Sequence, residues 1–231
     1  MITKGADQYS LKRRKMTDGL ISSGITDKRV IEAMGKTPRH LFMEEALRLG
    51  AYEDNSSPIG EGQTISKPST VALMSQLAIL AGTEKILEVG TGSGYQTAVL
   101  SQLCDRVVTI ERINSLSFRA RKILNDLHIG NVMYLVGDGV IMAKKHAPFD
   151  VILVTAGAPE IPVPLALQLK DGGRIIIPVT EGDEQRIMVA IREGDRFKVT
   201  RREPCAFVPL LGKYGYKDKL APGQRDCNKR F

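Results

Sequence analysis

The sequence predicts a doubly wound α/β domain with a mostly parallel sheet, an N-terminal helical addition and an antiparallel C-terminal hairpin. From residue 85 onward, short apolar runs alternate with segments of helical periodicity, as in βαβ units. Several of these runs are apolar at nearly every position, which is typical of parallel strands covered on both faces. Residues 1–50 instead show apolar residues at helical spacing. A chain of 231 residues suits one such domain, which we expect over residues 1–212.

The first 83 residues are predicted to precede the sheet. Apolar residues recur at helical spacing over residues 8–24 and 27–49, with breaks near Gly24 and Pro38, which indicates two or three helices. Residues 51–63 are rich in Gly, Pro, Asn and Ser, and this composition predicts a loop. A helix is expected over 71–81, with Ser66 or a neighbour as its N-cap and Pro68 in its first turn. The domain then divides into a helical part (1–50), a loop and helix (51–83) and a sheet (84–212).

The remaining elements follow a regular alternation. Strands are expected at residues 85–89, 106–110, 132–136, 150–155 and 174–179, and helices at 95–103, 113–127 and 164–169. Two further strands, 184–192 and 196–202, flank Glu193-Gly194-Asp195, a turn sequence that favours a hairpin at the edge of the sheet.

Composition and charge bound the function classes. Hydrophobic residues make up 42% and charged residues 26% of the chain, as in ordinary globular proteins, and we expect neither a signal peptide nor a membrane span. Cys104, Cys205 and Cys227 lie far apart without metal-type or redox-type spacing, so we expect no metal site and a reducing, cytoplasmic setting. The cysteines therefore point away from zinc and redox chemistry.

The net charge of +7 is concentrated at the two ends of the chain. Residues 1–15 and 213–231 each carry a net charge of +4, so residues 16–212 carry −1. A basic end is usually solvated, and we expect the tail 213–231 to be disordered and not to bind nucleic acid. The alternative, a nucleic-acid role for these ends, is left open by the charge alone.

The predicted strand 85–89 runs into a glycine loop that suggests a cofactor. Gly90, Gly92 and Gly94 occupy alternate positions, and Glu88 precedes the first of them by two. A dinucleotide loop would have its third glycine where Tyr95 stands, and an acid here would repel a pyrophosphate. The acid suits a cationic amino-acid cofactor instead. The pattern therefore resembles the first motif of Rossmann-like S-adenosylmethionine-dependent methyltransferases, although a purely structural turn remains an alternative.

Acids at the next strand ends fit the same cofactor. In open α/β sheets, ligands bind outside the carboxyl ends of the strands. Glu111 ends the second predicted strand and can accept both ribose hydroxyls, whereas Asp138 beside Gly139 can accept from an adenine amino group. Each acid alone could be a solvated strand end. Their occurrence at successive strand ends after the glycine loop favours a common binding site.

Several segments together resemble one family. They are Ala51-Tyr52-Glu53-Asp54, residues 58–66 (Pro-Ile-Gly-Glu-Gly-Gln-Thr-Ile-Ser), residues 87–98 around the glycine loop, residues 109–113 and 137–139, Ala147-Pro148-Phe149-Asp150, and Phe207-Val208-Pro209-Leu210. Over about residues 38–210 the chain resembles protein-L-isoaspartate O-methyltransferases. It departs from that family at Ser57, where Leu is usual, at Thr180, where Gly is usual, and at residues 140–144, which lack a tryptophan. The tail from Lys213 has no counterpart in the resemblance.

The resemblance implies methyl transfer from S-adenosylmethionine to the α-carboxylate of L-isoaspartyl residues in damaged proteins and peptides, which starts their repair. It makes Ser66 the catalytic residue. We expect its hydroxyl to orient the substrate carboxylate, with help from unpaired N–H groups of the following helix, although Ser66 could simply be an N-cap. We also expect a monomer that binds no membrane. Methylation of RNA or a small molecule, or cofactor binding without catalysis, remain alternatives.

The expected site residues form two sets. The cofactor set comprises Gln63, Thr64, Ile65, Glu88, Gly90, Gly92, Ser93, Gly94, Glu111, Arg112, Asp138 and Gly139. The substrate set comprises Ser66, Phe207, Val208, Pro209 and Leu210. The last four are extended and proline-stiffened, so they could pair with a bound peptide, or they could form a closing edge strand.

Overall fold

The computed structural model of the protein describes residues 6–217. Helices α1 (Ala6–Ser22) and α2 (Lys28–Lys36) form most of the N-terminal addition, and 3₁₀ turns follow at Arg39–Phe42 and Glu45–Gly50. Asp27 is the N-cap of α2 and its side chain accepts from the amide of Arg29 at 2.9 Å. The predicted helical addition is thus present. Residues 218–231 of the tail expected to be disordered lie outside the described residues.

The segment predicted as a loop contains a small hairpin. Strands β1 (Ser57–Gly60) and β2 (Gln63–Ile65) pair antiparallel, and Glu61 and Gly62 at their turn have φ angles of 55° and 67°. The loop prediction is wrong for these residues, because composition alone hides strands of three and four residues. Helix α3 (Pro68–Ala78) follows with Pro68 in its first turn, as predicted.

Within residues 6–217 the main sheet has seven strands in the order β5-β4-β3-β6-β7-β8-β9. Their bounds are β3 (Lys85–Val89), β4 (Arg106–Glu111), β5 (Val132–Val136), β6 (Phe149–Val154), β7 (Leu169–Glu181), β8 (Glu184–Glu193) and β9 (Arg196–Cys205). The intervening helices are α4 (Tyr95–Leu100), α5 (Asn114–Asp126), α6 (Gly139–Met142) and α7 (Val163–Ala166), with a 3₁₀ turn at Ala143–His146. The predicted fold class is confirmed, although α6 and the turn after it were not predicted.

The strand order places the site. Strands β3 to β7 are parallel, and β8 and β9 add the predicted antiparallel hairpin. The chain leaves β3 for β4 on one side and returns to β6 on the other, so the order reverses at β3. The crevice between the carboxyl ends of β3 and β6 is therefore where a ligand is expected.

Both faces of the sheet are covered. Ile86 and Val107 belong to one buried apolar cluster, which also contains the N-terminal helices, while the adjacent Leu87 and Val108 belong to the cluster on the opposite face. These side chains are at most 1% exposed. Side chains of a strand alternate between the two faces of a sheet, so apolar residues at successive positions indicate a sheet that is covered on both faces.

Residues 213–217 differ from the expected disordered tail. The amide of Lys213 donates to Asp138 Oδ2 at 3.0 Å, and the hydroxyl of Tyr216 donates to Thr180 Oγ1 at 2.8 Å. The chain therefore remains packed on the domain beyond residue 212. Charge and Gly-Pro content predicted disorder, but they did not reveal these contacts between distant residues.

Candidate active site

A cavity of about 280 Å³ lies at the carboxyl ends of the parallel strands. It lies at the topological switch between β3 and β6, where the fold predicts a ligand. Of the residues expected from the sequence, those lining it are Gln63, Thr64, Ile65, Ser66, Gly90, Gly92, Ser93, Glu111, Arg112, Gly139, Phe207, Val208, Pro209 and Leu210. The fold thus brings all of the expected substrate set and most of the expected cofactor set to one cavity, but not Glu88, Gly94 or Asp138.

The glycine loop has a conformation that needs glycine. Gly90, Gly92 and Gly94 have φ angles of 100°, 52° and 88°, in the region that side chains disfavour. A Cβ atom on Gly90 would also overlap Oγ1 of Thr155, which donates to the carbonyl of Gly90 at 2.5 Å. Thr155 follows β6, so this contact joins the two strand ends at the switch point. Gly94 does not line the cavity; instead it begins α4 and approaches Ala120 of α5.

Glu111 lies where the sequence predicts the ribose acceptor. Its side chain, 8% exposed, lines the cavity at the end of β4. Oε2 accepts from the amide of Gly92 at 2.8 Å, and Oε1 accepts from the amide of Ile113 at 2.9 Å. A carboxylate has about four acceptor sites, so these two bonds orient the group and leave capacity for hydroxyl donors.

Glu88 lies outside the residues that line the cavity. Its carboxyl is fully buried, and Oε2 accepts from the hydroxyls of Thr97 at 2.5 Å and Thr109 at 2.6 Å. Its pKa is raised to about 7, mainly by burial; the two hydroxyl bonds lower the pKa, and the charge of Glu111 adds a smaller upward contribution. The expected direct role beside the cofactor is therefore not supported, and Glu88 instead joins α4 to β4 through Thr97 and Thr109.

Asp138 is the N-cap of α6. Its Oδ1 accepts from the amides of Val140 at 2.9 Å and Ile141 at 3.3 Å, while Oδ2 accepts from Lys213. The neighbouring Gly137 and Gly139 line the cavity, but Asp138 is not among the lining residues. The strand end is placed as expected, and the Asp138 side chain has acquired two structural duties that the sequence did not predict.

Ser66 lies between β2 and α3 and lines the cavity. Among residues 6–217 its hydroxyl has no hydrogen-bond partner in the structure, so it can face a substrate. The N-cap of α3 is Lys67, not Ser66. The expectation of unpaired N–H groups here is wrong, because Pro68 has none and the amides of Ser69 and Thr70 donate to Asp54 and Lys67.

Residues 207–210 line the cavity with their backbone groups largely used. The amide and carbonyl of Phe207 bond to the side chain of Gln185. The carbonyl of Val208 and the amide of Leu210 bond to Gly157, and the carbonyl of Leu210 accepts from Tyr216. The segment was expected either to pair with a bound peptide or to form a closing edge strand, and these hydrogen bonds favour the closing strand. A bound peptide would meet its side chains or displace these bonds.

Comparison with known proteins identifies the family. The model of the protein-L-isoaspartate(D-aspartate) O-methyltransferase family matches residues 11–215. The chain belongs to this family. The match begins earlier and ends later than the resemblance read from the motifs, so it includes most of the N-terminal helices and reaches Gly215.

Relatives and solved structures agree with the family match. The chain is 51% identical over 213 residues to "Protein-L-isoaspartate O-methyltransferase 1" of Pelobacter propionicus, covering 90% of this chain and 99% of that protein. It is 51% identical over 207 residues to "Protein-L-isoaspartate O-methyltransferase 2" of Geotalea uraniireducens, covering 89% of this chain and 95% of that protein.

Two solved structures show the same fold across most of the chain. A protein-L-isoaspartate O-methyltransferase superposes with a TM-score of 0.80 at 29% identity, covering 88% of this chain and 67% of that one. A Plasmodium falciparum protein described as a beta-aspartate methyltransferase, in complex with S-adenosyl-L-homocysteine, superposes with a TM-score of 0.75 at 25% identity, covering 86% and 98%.

The cavity fits the family's cofactor, S-adenosylmethionine. Gly90 and Gly92 leave a wall without side chains beside the cavity, as a ligand in close contact with backbone requires. Glu111, buried and fixed by two amides, offers acceptors for a diol. A Cβ atom on Gly139 would overlap Val89, so that wall also depends on glycine.

Sequence reasoning assigned no role to two polar residues near the site. Asp54 accepts from the amide and the hydroxyl of Ser69, both at 2.8 Å, and so fixes the start of α3 just after Ser66. Arg39, which is fully buried, donates to the carbonyls of Ala51 at 2.8 Å and Asn55 at 3.1 Å, and so fixes the loop between these two residues, which precedes β1. Asp54 stands in a segment that carried the family resemblance, which was the available signal. Arg39 had none.

No helix among residues 6–217 is long and apolar enough to cross a membrane. Within the same range, no group of three or more His, Cys, Asp or Glu side chains is arranged to hold a metal ion.

Proposed function

We propose that the protein methylates the α-carboxylate of L-isoaspartyl residues in damaged proteins and peptides, with Ser66 as the residue that orients the carboxylate. The single observation that carries this is the meeting of Ser66, the glycine loop and Glu111 at one cavity in a chain of this family. S-adenosylmethionine supplies the methyl group when bound. The chain's own residues bind the cofactor and the substrate carboxylate, align them and exclude water.

Gly90, Gly92 and Glu111 are the residues we assign to the cofactor with most structural support. The loop amides and the carboxylate of Glu111 are already fixed by hydrogen bonds, so little ordering remains to be done on binding. Gln63, Thr64 and Ile65 of β2 line the same cavity. We assign Asp138 a supporting role, because its carboxylate is engaged by α6 and Lys213.

No general base is required for the reaction we propose. The α-carboxylate of an isoaspartyl residue has a reference pKa of roughly 3.3–3.7, so it is ionised at neutral pH and is itself the nucleophile. The protein must hold one of its oxygens in line with the donor group and keep water away. The hydroxyl of Ser66 can donate one hydrogen bond to the carboxylate, and the apolar side chains of Phe207 and Leu210 can shield it.

The test uses labelled S-adenosylmethionine and matched peptides that contain isoaspartate or aspartate at one position. We expect base-labile methyl incorporation into the isoaspartyl peptide alone. Ser66→Ala should keep S-adenosylhomocysteine binding and lower kcat/KM by roughly 10- to 150-fold, the worth of a hydrogen bond to a charged group. Ser22→Ala, at the exposed end of α1, is the control. Equal methylation of both peptides, or preferential labelling of an added RNA, would refute the assignment.

We further propose that the protein acts as a monomer in the reducing cytoplasm and has no nucleic-acid partner. In support of the reducing setting alone, Cys104 and Cys205 are free thiols, and burial raises the pKa of Cys104 to about 12, which makes it unreactive. Sedimentation at micromolar concentration tests the monomer, and a dimer mass would contradict it.

A further inference from the structure

The chain after the substrate segment closes on itself. We call residues 210–216 the C-terminal loop. The amide of Tyr216 donates to the carbonyl of Leu210 at 2.7 Å, and the amides of Gly212 and Gly215 donate to Tyr216 and Gly212, each at 3.3 Å. A Cβ atom on Gly215 would overlap the carbonyl of Leu210. The loop is therefore a compact unit held together by its own hydrogen bonds.

Two contacts tie the C-terminal loop to two different strand ends. On one side Lys213 donates its amide to Asp138 Oδ2 at 3.0 Å, and a Cβ atom on Gly212 would lie 2.6 Å from the same oxygen. On the other side the Tyr216 hydroxyl donates to Thr180 Oγ1 at 2.8 Å, near the end of β7. The loop thus bridges the end of β5 and the end of β7.

The C-terminal loop also forms part of the cavity wall. Leu210 and Leu211 line the cavity, as do Gly137 and Gly139 on either side of Asp138. An outward movement of the loop would remove the part of the wall that Leu210 and Leu211 form. The closed loop is therefore the arrangement in which the cavity is complete.

The bond between Tyr216 and Thr180 needs a hydroxyl on each side chain, so one substitution at either position removes it. Both partners of this bond are half-buried and lie 36 residues apart in the chain. The bond fixes the far end of the loop, whereas Asp138 fixes its near end.

We propose that Tyr216 and Thr180 are positioning residues that hold the C-terminal loop closed over the cofactor site, and so strengthen cofactor binding. The inference rests on the proposed function only in its use of that cofactor site. Affinity falls in proportion to the fraction of molecules in the competent state. A single neutral hydrogen bond changes such an equilibrium by roughly 2- to 12-fold.

The test measures S-adenosylhomocysteine affinity by calorimetry, with amide hydrogen exchange over the loop as a second readout. Tyr216→Phe and Thr180→Val remove the bond while keeping shape. Each should speed exchange at residues 211–216 by roughly 2- to 12-fold and weaken affinity by up to the same factor. Thr180→Ser keeps a hydroxyl and should retain the affinity and the exchange rate of the parent. Tyr214→Phe is the matched control, because among residues 6–217 the Tyr214 hydroxyl has no hydrogen-bond partner. The double variant should be no weaker than either single one.

Unchanged affinity in both Tyr216→Phe and Thr180→Val, tighter binding in either, or additive losses in the double variant would overturn the inference. Tighter binding would mean that the closed loop obstructs the cofactor. Because the affinity measurement needs no methyl acceptor, it is independent of the substrate assignment. If the parent protein binds S-adenosylhomocysteine but does not methylate isoaspartyl peptides, the proposed function is contradicted and this inference still stands.

Discussion

Glu88→Gln should change how stability depends on pH. The Glu88 carboxyl is 0% exposed, and burial raises its pKa to about 7 from an ordinary 4.5. The folded protein therefore binds this proton more tightly than the unfolded chain. Its contribution to stability is complete below about pH 4.5 and is lost as the pH rises through about 7. At higher pH the fold must bury a charge.

The size of the effect follows from the two pKa values. At about 1.4 kcal/mol per pKa unit, the difference between about 7 and 4.5 corresponds to about 3 kcal/mol. Gln carries no charge, and its amide oxygen can still accept from Thr97 and Thr109. The variant should therefore lack this loss. Its free energy of unfolding should rise relative to that of the parent by about 2 to 3 kcal/mol as the pH increases from about 5 to about 8.

Urea unfolding of both proteins across that range measures the difference. Glu160→Gln is the control, because Glu160 is exposed, and its profile should follow that of the parent. If the free energies of unfolding of the parent and Glu88→Gln run parallel with pH, Glu88 does not bind its proton more tightly in the fold, and the argument from burial fails.

Three other substitutions test the site. Glu111→Ala should weaken S-adenosylhomocysteine binding by roughly 10- to 100-fold in calorimetry, because it removes a charged acceptor and leaves the amide of Gly92 unpaired. Gly90→Ala should lower the free energy of unfolding by about 1–3 kcal/mol and abolish binding, since φ is 100° and its Cβ would overlap Thr155. Asp54→Ala should cost about 0.5–2 kcal/mol in thermal unfolding by uncapping α3, and should lower kcat.

Each of these has a result that contradicts it. An unchanged dissociation constant for Glu111→Ala would remove that residue from the cofactor site. Gly130→Ala is the control for Gly90, because its added Cβ meets nothing within 4 Å; equal losses in both would show that the strain argument is wrong. Full stability and activity of Asp54→Ala would mean that the start of α3 needs no cap.

Local patterns predicted much of this fold. The bounds of β3 and β5 agree with the structure, and those of β4 differ by one residue. Continuous apolar runs are recognisable wherever a sheet is covered on both faces. The small elements β1, β2 and α6 were missed, because three or four residues are too few to show a period.

The site was partly predictable for a similar reason. Alternate glycines after a strand and an acid at the end of the next one have a local meaning, since the φ angles and the strand end are set nearby. The role of Glu88 was not readable, because an acid in a strand faces the ligand or the interior according to what packs around it. Here Thr97 and Thr109 turn it inward.

By itself the sequence determined the layered sheet, the glycine loop at its switch point and the family. These depend on periodicity and on conformations that single residues allow. Tertiary structure alone decided that Asp54 accepts from the amide of Ser69, that the Glu88 carboxyl turns inward to Thr97, and that residues 210–216 contact Asp138 and Thr180. Such contacts join groups far apart in the chain, and their distances are set by packing of the whole domain.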